Sequence, residues 1–256
     1  MNRLTERLSA EGKILSIYAT AGFPQLNDTL QVLKELENAG VDLIEIGMPF
    51  SDPLADGPTI QKSSTKALMN GMTTELLFEQ LKEVRNHLSI PLILMGYFNP
   101  VLQFGVEKFL KKAAEIGIDG VILPDLPLEV YEREYKNLFE VYGLSMIFLI
   151  TPQTPERRIR QIEQASTSFI YMVSTSSTTG TQEGFTEESM EYFRRIEAMN
   201  LQVPTVVGFG ISNSSSYHQA TSNSKGAIIG SAFIKALSKE GIKGIPAFIQ
   251  SIRSES

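Results

Sequence analysis

The chain has 256 residues, a formal net charge of −6, and a composition that is 42% hydrophobic, 20% charged and 9% aromatic. These proportions are typical of a globular protein with a large core and exclude the disordered and collagen-like classes. No apolar run approaches the roughly 18 residues that span a bilayer, the polar N-terminus does not resemble a signal peptide, and no basic stripe indicates nucleic-acid binding. We therefore expect a cytoplasmic protein.

Cysteine and tryptophan are absent, and histidine occurs only twice, at His87 and His218. The chain therefore has no thiolate nucleophile, no disulfide framework and no cysteine-ligated metal. A metal centre or a catalytic triad would depend on a lone histidine, so we expect neither. We place both histidines on surface helices.

Short apolar runs alternate with amphipathic stretches along the whole sequence. We predict eight strands: Ile14–Thr20, Val41–Gly47, Pro91–Tyr97, Gly120–Pro124, Ser145–Thr151, Ser168–Ser174, Val203–Gly208 and Gly226–Gly230. Apolar residues between them recur at helical spacing, as in Val106–Ala114 and Ile245–Ile252. The strand runs are continuously apolar, as expected of parallel strands covered by helices. Eight such units favour a single-domain α/β fold, a (β/α)8 TIM barrel with extra short helices over residues 1–256, rather than a doubly wound sheet.

Two segments of the chain resemble one another. Ala39–Gly47 reads AGVDLIEIG and Ile116–Pro124 reads IGIDGVILP. Each pattern predicts a glycine at the C-terminal end of a helix, followed directly by a buried strand.

The chemistry of such a barrel is expected at the carboxyl ends of its strands. No lysine lies there, which argues against a Schiff-base aldolase, and the missing cysteine and scarce histidine argue against a zinc aldolase. The second predicted strand instead contains Glu45, in the run LIEIG. Burial would raise the pKa of this carboxyl and suit it to proton transfer near neutral pH. Its position fits equally well a structural glutamate that faces an arginine.

The loop Met48–Pro58 follows this strand and contains Asp52 and Asp56. Asp56 precedes Gly57 and Pro58, which is the pattern of a helix N-cap followed by an early proline. For an isolated aspartate at this place, helix capping is the simpler interpretation, and a catalytic role is the alternative.

Three glycine-bearing segments end the last predicted strands: Ser174–Gly180, Gly208–Gly210 and Gly230–Ser231. Glycines allow backbone N–H groups to approach a phosphate, and a helix that begins at Ser231 would direct its positive end at the same place. The segments after strands seven and eight coincide with the usual phosphate site of such barrels. We therefore expect phosphate binding there.

The segment EIGMPFSDPLADGPTIQ, from Glu45 to Gln61, closely resembles the signature of the tryptophan synthase alpha subunit family. Supporting segments follow the family's order through nearly the whole chain: ATAGFP from Ala19, MGYFNP from Met95, PDLP from Pro124, VGFGI from Val207 and IGSA from Ile229. The resemblance implies a carbon–carbon lyase of tryptophan biosynthesis, which cleaves indole-3-glycerol phosphate to indole and glyceraldehyde 3-phosphate.

Matched positions imply roles for individual residues. Glu45 corresponds to the family's general acid/base, Asp56 to its second catalytic carboxylate, and Tyr171 to a tyrosine near the indole. The remaining matches are Gly180, Gly210, Gly230 and Ser231 for the phosphate, and Tyr18, Tyr97 and Asp125 for the pocket or its support.

One segment departs from the family pattern. Where the family reads Ser-Arg-x-Gly-Val-Thr-Gly, this chain reads STSSTTG from Ser174 to Gly180. Thr175 and Ser177 replace the arginine and the first glycine, while Thr179 is retained. The segment is the family's mobile lid, so the departure bears on lid closure and on coupling to a partner, and Thr179 is still expected to steady Asp56.

The resemblance also implies a partner, a beta subunit that uses pyridoxal phosphate (PLP) and consumes the indole, in an α2β2 heterotetramer. The chain itself would carry no cofactor and no metal. The loop with Pro49 and Pro53, together with Asn99–Pro100, is the expected docking face. Two alternatives remain open: a sugar-phosphate isomerase or epimerase with a phosphate-binding barrel, and a non-catalytic allosteric partner of the beta subunit.

Overall fold

Eight parallel strands close into a barrel, in which each strand pairs with the next along the chain and the last pairs with the first. The computed structural model describes residues 2–174 and 185–254. The strands are β1 (Ile14–Thr20), β2 (Leu43–Gly47), β3 (Leu92–Met95), β4 (Gly120–Ile122), β5 (Ser145–Ile150), β6 (Ile170–Val173), β7 (Thr205–Gly208) and β8 (Gly226–Ile229). All eight predicted strands are confirmed, with ends at most two residues inside the predicted bounds.

Helices cover the outside of the barrel. They are α1 (Arg3–Ser9), α2 (Thr29–Asn38), α3 (Pro58–Met69), α4 (Thr74–Gln80), α5 (Phe98–Phe104), α6 (Val106–Glu115), α7 (Leu128–Val130), α8 (Lys136–Tyr142), α9 (Glu156–Ala165), α10 (Glu187–Ala198), α11 (Ser214–Ser222), α12 (Ser231–Glu240) and α13 (Ile245–Arg253). A π-helical turn at Tyr131–Tyr135 joins α7 to α8, and 3-10 turns lie at Val84–Asn86 and Ile242–Gly244. The architecture is therefore the predicted (β/α)8 TIM barrel with extra short helices. Within the described ranges, no helix is long and apolar enough to cross a membrane.

The predicted apolar stripes face the strands. α6 buries Phe109, Leu110 and Ala113, and α13 buries Ile245 and Ile249. Because the outer surface of each strand is also apolar, this contact forms a continuous layer between the barrel and its helices. Both histidines are exposed, as predicted; His218 lies on α11, whereas His87 ends the 3-10 turn and does not lie in a helix.

The helix α1 closes the amino-terminal end of the barrel. Its residues Leu4 and Leu8 are buried and belong to the same cluster as the inward side chains near the strand starts. These side chains are Ile14, Leu43, Ile93, Ile122, Ile147, Phe169, Val206 and Ile228. The amino-terminal end is thus filled with apolar side chains, which leaves the carboxyl ends of the strands for polar groups.

The two segments that resemble one another in sequence also fold alike. Gly40 and Gly117 follow α2 and α6 and adopt positive φ angles of 87° and 83°. In both places the N–H of the next residue bonds to a helix carbonyl five residues earlier. This is the Schellman ending of a helix, and it favours glycine because other side chains are strained in the left-handed region. The predicted glycine-ended helices are confirmed.

Each of these segments contains an aspartate just before its strand, Asp42 before β2 and Asp119 before β4. Each aspartate binds the backbone of the strand that precedes it in the barrel. Asp42 accepts the N–H of Leu15 in β1 at 2.8 Å, and Asp119 accepts the N–H of Leu92 in β3 at 2.9 Å. Each carboxylate also pairs with two arginines: Arg7 and Arg253 with Asp42, and Arg3 and Arg85 with Asp119. The side chain of Asp119 is 1% exposed and that of Asp42 is 17% exposed, so the two carboxylates make similar contacts but Asp119 is the more deeply buried.

This difference in depth predicts different losses of stability. Asp119→Ala is expected to lower the free energy of unfolding by about 3–5 kcal/mol, because the half-buried Arg85 loses its partner. Asp42→Ala is expected to lower it by roughly 1–2 kcal/mol, because water can solvate the arginines that remain. Guanidinium-induced unfolding of the two variants measures both values. An equal loss, or a larger loss for Asp42→Ala, would contradict this account.

Candidate active site

Glu45 points into the barrel from the middle of β2. Side chains alternate along a strand, so Leu43, Glu45 and Gly47 face inward while Ile44 and Ile46 face the helices. The glutamate is fully buried, and burial raises the pKa of its carboxyl to about 8. The alternative of a structural glutamate paired with an arginine is wrong for the described part of the chain, where neither carboxylate oxygen has a hydrogen-bond partner.

Tyr18 and Tyr171 point into the barrel, and their rings lie directly against glycines of the neighbouring strands. A Cβ atom on Gly47 would lie 2.0 Å from the hydroxyl oxygen of Tyr18, and one on Gly208 would lie 2.1 Å from that of Tyr171. Only glycine leaves room for these rings. Burial raises the pKa of both phenols above the usual range, and the nearby Asp56 and Glu45 charges raise it further. Both tyrosines therefore remain neutral at physiological pH.

Asp56 is held at the cleft by Tyr97 from the end of β3. The Tyr97 hydroxyl donates to Asp56 Oδ2 at 3.1 Å and accepts the N–H of Ala55 at 2.9 Å. The ring of Phe50 packs against the Tyr97 ring, with centroids 5.2 Å apart. Burial raises the pKa of the Asp56 carboxyl, and the hydrogen bond from Tyr97 opposes this shift because it stabilises the charged form.

The interpretation of Asp56 as a helix N-cap is wrong. The N-cap of α3 is Gly57, with Pro58 in the first turn, and no side chain caps this helix end. The reason is the bond to Tyr97, which turns the Asp56 carboxylate away from the helix and toward the cleft.

Asp125 supports the site from outside. Its carboxylate accepts the N–H of Phe98 at 2.9 and 3.1 Å, at the start of α5. Tyr97 is the N-cap residue of that helix, so Asp125 fixes the backbone that carries the tyrosine. The expected place of Asp125 around the pocket is therefore one of support.

A narrow cleft lies between the strand ends. It is lined by Tyr18, Met48, Ala55, Asp56, Met95, Gly96, Tyr97, Pro124, Leu149 and Phe209. The lining is mainly apolar and aromatic, with the Asp56 carboxylate at one side. The chemistry of this lining suits a flat aromatic ligand with one polar or cationic edge.

Phe209 is a site residue that the sequence reasoning missed. It has a φ of 68°, which is rare for a bulky residue, and its ring packs edge-on against Tyr171 with centroids 6.3 Å apart. The Ser174 hydroxyl donates to the Phe209 carbonyl at 2.8 Å. An aromatic residue between two glycines at a strand end is the signal that could have revealed it.

The ends of β7 and β8 provide the glycines expected to bind phosphate. Gly210 has a φ of 75° and lies beside Ser174, while Gly230 is the N-cap residue of α12 and lies beside Tyr18. Gly230 has no side chain that could cap α12, so the N–H groups from Ser231 onward are directed out of the helix end. In contrast, Asn213 caps α11.

The structure thus brings together Glu45, Asp56, Tyr18, Tyr97 and Tyr171. The two carboxylates lie close enough to Tyr18 and Tyr171 to raise the pKa of these phenols. Gly210, Gly230 and Ser231 lie at the adjacent strand ends. The predicted residues Thr179 and Gly180, and the departing segment Thr175–Thr178, lie outside the described residues.

The raised pKa of Glu45 predicts a pH-dependent stability. Its folded-state value of about 8 lies above the ordinary 4.5, so the protonated group contributes stability that is complete below 4.5 and is lost as the pH rises to 8. Glu45→Gln cannot ionise. Relative to this variant, the wild type is expected to lose up to about 1.4 kcal/mol of unfolding free energy per pH unit across that interval. Denaturant unfolding over the pH range measures the difference, and parallel curves for the two proteins would contradict the burial argument.

A family model described as tryptophan synthase alpha chain matches residues 5–251. The tryptophan synthase alpha chain of Flavobacterium johnsoniae is 62% identical over 253 residues, which cover 99% of this chain and 100% of the relative. That of Christiangramia forsetii is 57% identical, with 99% of each chain covered. Matches of this extent do not favour the isomerase or epimerase alternative.

Solved structures agree with these relatives. The tryptophan synthase alpha chain of Legionella pneumophila superposes with a TM-score of 0.89 at 30% identity, covering 99% of this chain and 96% of that one. A structure of Mycobacterium tuberculosis tryptophan synthase gives a TM-score of 0.88 at 29% identity, with 98% and 96% covered. Sequence and fold therefore match almost from end to end, and this chain belongs to the tryptophan synthase alpha chain family.

Proposed function

We propose that Glu45 and Asp56 are the two carboxylates with which this chain performs its family's reaction, the cleavage of indole-3-glycerol phosphate to indole and glyceraldehyde 3-phosphate. The observation that carries this proposal is that the buried Glu45 and the cleft-lining Asp56 both lie close enough to Tyr18 and Tyr171 to raise the pKa of these phenols. Their environments differ, which is the usual way in which two carboxyls acquire different roles.

Glu45 acts as the general acid and then as the general base. With a pKa of about 8 it is mostly protonated at neutral pH and can donate its proton to C3 of the indole. The bond between C3 and the glycerol carbon then breaks, and its electrons return to the ring. The carboxylate of Glu45 takes the proton of the adjacent glycerol hydroxyl as the aldehyde forms. The cycle restores the protonated glutamate.

Asp56 acts as the stabilising charge. Protonation at C3 places positive charge on the indole nitrogen, and an ionised carboxylate at the cleft wall lowers the energy of that state. Tyr97 holds Asp56 in place and favours its charged form. Tyr18, Tyr171 and Phe209 supply neutral aromatic walls for the ring.

The phosphate is bound at the ends of β7 and β8. Gly210 and Gly230 allow the backbone to approach the anion, and the uncapped N-terminus of α12 at Ser231 presents N–H groups to it. By matched position, we assign Gly180 to the phosphate and Thr179 to the support of Asp56; both lie outside the described residues.

Membership of the family implies a partnership with a beta subunit, and we propose the finer points of that assembly. The complex is a cytoplasmic α2β2 heterotetramer in which the beta subunit carries PLP and this chain, as one domain over residues 1–256, carries no cofactor. The docking face contains Pro49, Pro53 and Asn99–Pro100. Leu54, in the same loop, is 93% exposed, which supports an apolar contact there.

The alternative of a non-catalytic partner subunit is disfavoured. A subunit that only docks would not need a fully buried carboxyl to which no described residue is bonded, because an apolar residue at position 45 would stabilise the fold.

Replacement of either carboxylate is expected to abolish cleavage without unfolding the chain. Glu45→Gln and Asp56→Asn keep the side-chain shapes but remove the acid/base group and the negative charge, so each should lower kcat by about 10²–10⁴-fold. Indole formation from indole-3-glycerol phosphate, measured alone and with a beta subunit, tests both variants. A variant with near wild-type turnover would remove that residue from the mechanism.

The mechanism also predicts a bell-shaped pH profile of kcat/KM. Activity falls at low pH as Asp56 becomes protonated and falls at high pH as Glu45 ionises near pH 8. Tyr97→Phe removes the bond that lowers the pKa of Asp56, so the acid limb should move to higher pH while the alkaline limb stays in place. Tyr142→Phe, at a partly buried tyrosine at the end of α8 that does not line the cleft, is the control. An unmoved acid limb in Tyr97→Phe would show that Tyr97 does not hold Asp56.

A further inference from the structure

Three buried polar atoms inside the barrel have no hydrogen-bond partner within the described residues: the Ser16 hydroxyl oxygen and both carboxylate oxygens of Glu45. Both side chains are 0% exposed. Buried polar groups are almost always paired, and an unpaired one costs about 1–3 kcal/mol. Two such residues on adjacent strands therefore call for a common explanation.

The strand register places the two side chains next to one another. In the pairing of β1 with β2, Tyr18 is opposite Glu45 and Ser16 is opposite Leu43. Side chains alternate along the strand, so Ser16 and Tyr18 face the same interior as Leu43 and Glu45. The Ser16 hydroxyl thus lies one layer below the Glu45 carboxyl, on the neighbouring strand.

The rest of this layer is apolar. Ile14, Leu43, Ile93 and Ile228 belong to the cluster that fills the amino-terminal part of the barrel. These apolar side chains offer the Ser16 hydroxyl no hydrogen bond. The Glu45 carboxyl above it is the group that changes charge during the proposed reaction.

We propose that Ser16 is a positioning residue for the cleavage reaction, whose hydroxyl donates a hydrogen bond to Glu45 when that carboxyl has given its proton to the substrate. This inference rests on the proposed role of Glu45. After C3 is protonated, the glutamate carries a negative charge within an apolar barrel, and a hydrogen bond to a charged group stabilises it more than one to a neutral group.

The other described groups that face Glu45 carry no positive charge that could stabilise its ionised form. Tyr18 on β1 and Tyr171 on β6 are neutral, and Asp56 in the loop after β2 is acidic. The inward residues of β3 and β8 are Ile93, Met95, Gly226 and Ile228, which do not titrate. Although the two groups are not hydrogen-bonded in the resting geometry, the Ser16 hydroxyl lies close enough to Glu45 to lower the pKa of that carboxyl, in opposition to burial.

The kinetic test replaces the hydroxyl alone. Ser16→Ala is expected to lower kcat about tenfold with KM unchanged, and to move the alkaline limb of kcat/KM upward by about one pH unit, because Glu45 becomes a weaker acid. Ser16→Thr restores the hydroxyl and should recover the wild-type profile. Ser168→Ala removes another buried, unpartnered serine hydroxyl, at the start of the β6 region, and should change nothing.

A second readout does not require activity. In chain labelled with 13C at the glutamate carboxyl carbon, the Glu45 signal is identified by its absence in Glu45→Gln, and its titration is followed by NMR. Ser16→Ala and the weak donor variant Ser16→Cys should raise the titration midpoint, Ser16→Ala by about one pH unit, while Ser16→Thr and Ser168→Ala leave it in place. Two variants keep the test decisive if one of them does not fold.

The outcomes separate the two proposals. An unchanged or lowered Glu45 midpoint in Ser16→Ala and Ser16→Cys overturns the role of Ser16, whatever the activity. If the midpoint rises but the wild-type chain, with a beta subunit, forms no indole from indole-3-glycerol phosphate, the proposed function fails while the contact between Ser16 and Glu45 stands.

Discussion

The burial of Glu45, with no cation among the described residues to balance its charge, is the constraint on which the rest of this structure depends. Glu45 is enclosed by apolar strands, and removal of water disfavours its charged form, so its pKa rises to about 8. This cost in stability gives the protein an acid that retains its proton at neutral pH. A salt bridge would have ionised the glutamate and removed the proton that the proposed reaction needs.

A few features of the barrel create this apolar environment around Glu45. Strand alternation directs Glu45 inward, and α1 fills the amino-terminal end with Leu4 and Leu8. Glycines at positions 47 and 208 make room for two neutral tyrosines. At the carboxyl ends of the strands, Tyr97 holds the second carboxylate and the N-terminus of α12 begins at Gly230, where we propose that the phosphate binds. The two halves of the proposed site thus need opposite conditions: an apolar enclosure for the acid, and exposed backbone N–H groups for the anion.

The sequence predicted the fold well, because periodicity records which face of an element is buried. All eight strands and the glycine-ended helices at Gly40 and Gly117 follow from local pattern. The site was less accessible to such reasoning. Asp56 has the local pattern of an N-cap, and only a tertiary contact with Tyr97 gives it another partner. The positive φ of Phe209, the pairing of Asp42 and Asp119 with arginines, and the unpartnered Ser16 likewise depend on residues distant in sequence.

The central claim is that Glu45 is protonated in the resting protein at neutral pH. The most direct measurement is an infrared difference spectrum between the ligand-free wild type and Glu45→Gln at neutral pH. The account predicts the carbonyl stretch of a protonated carboxyl in the wild type, which disappears as the pH is raised through about 8. A carboxylate band at neutral pH in place of that stretch would contradict it, because an ionised Glu45 could not donate the proton that starts the cleavage.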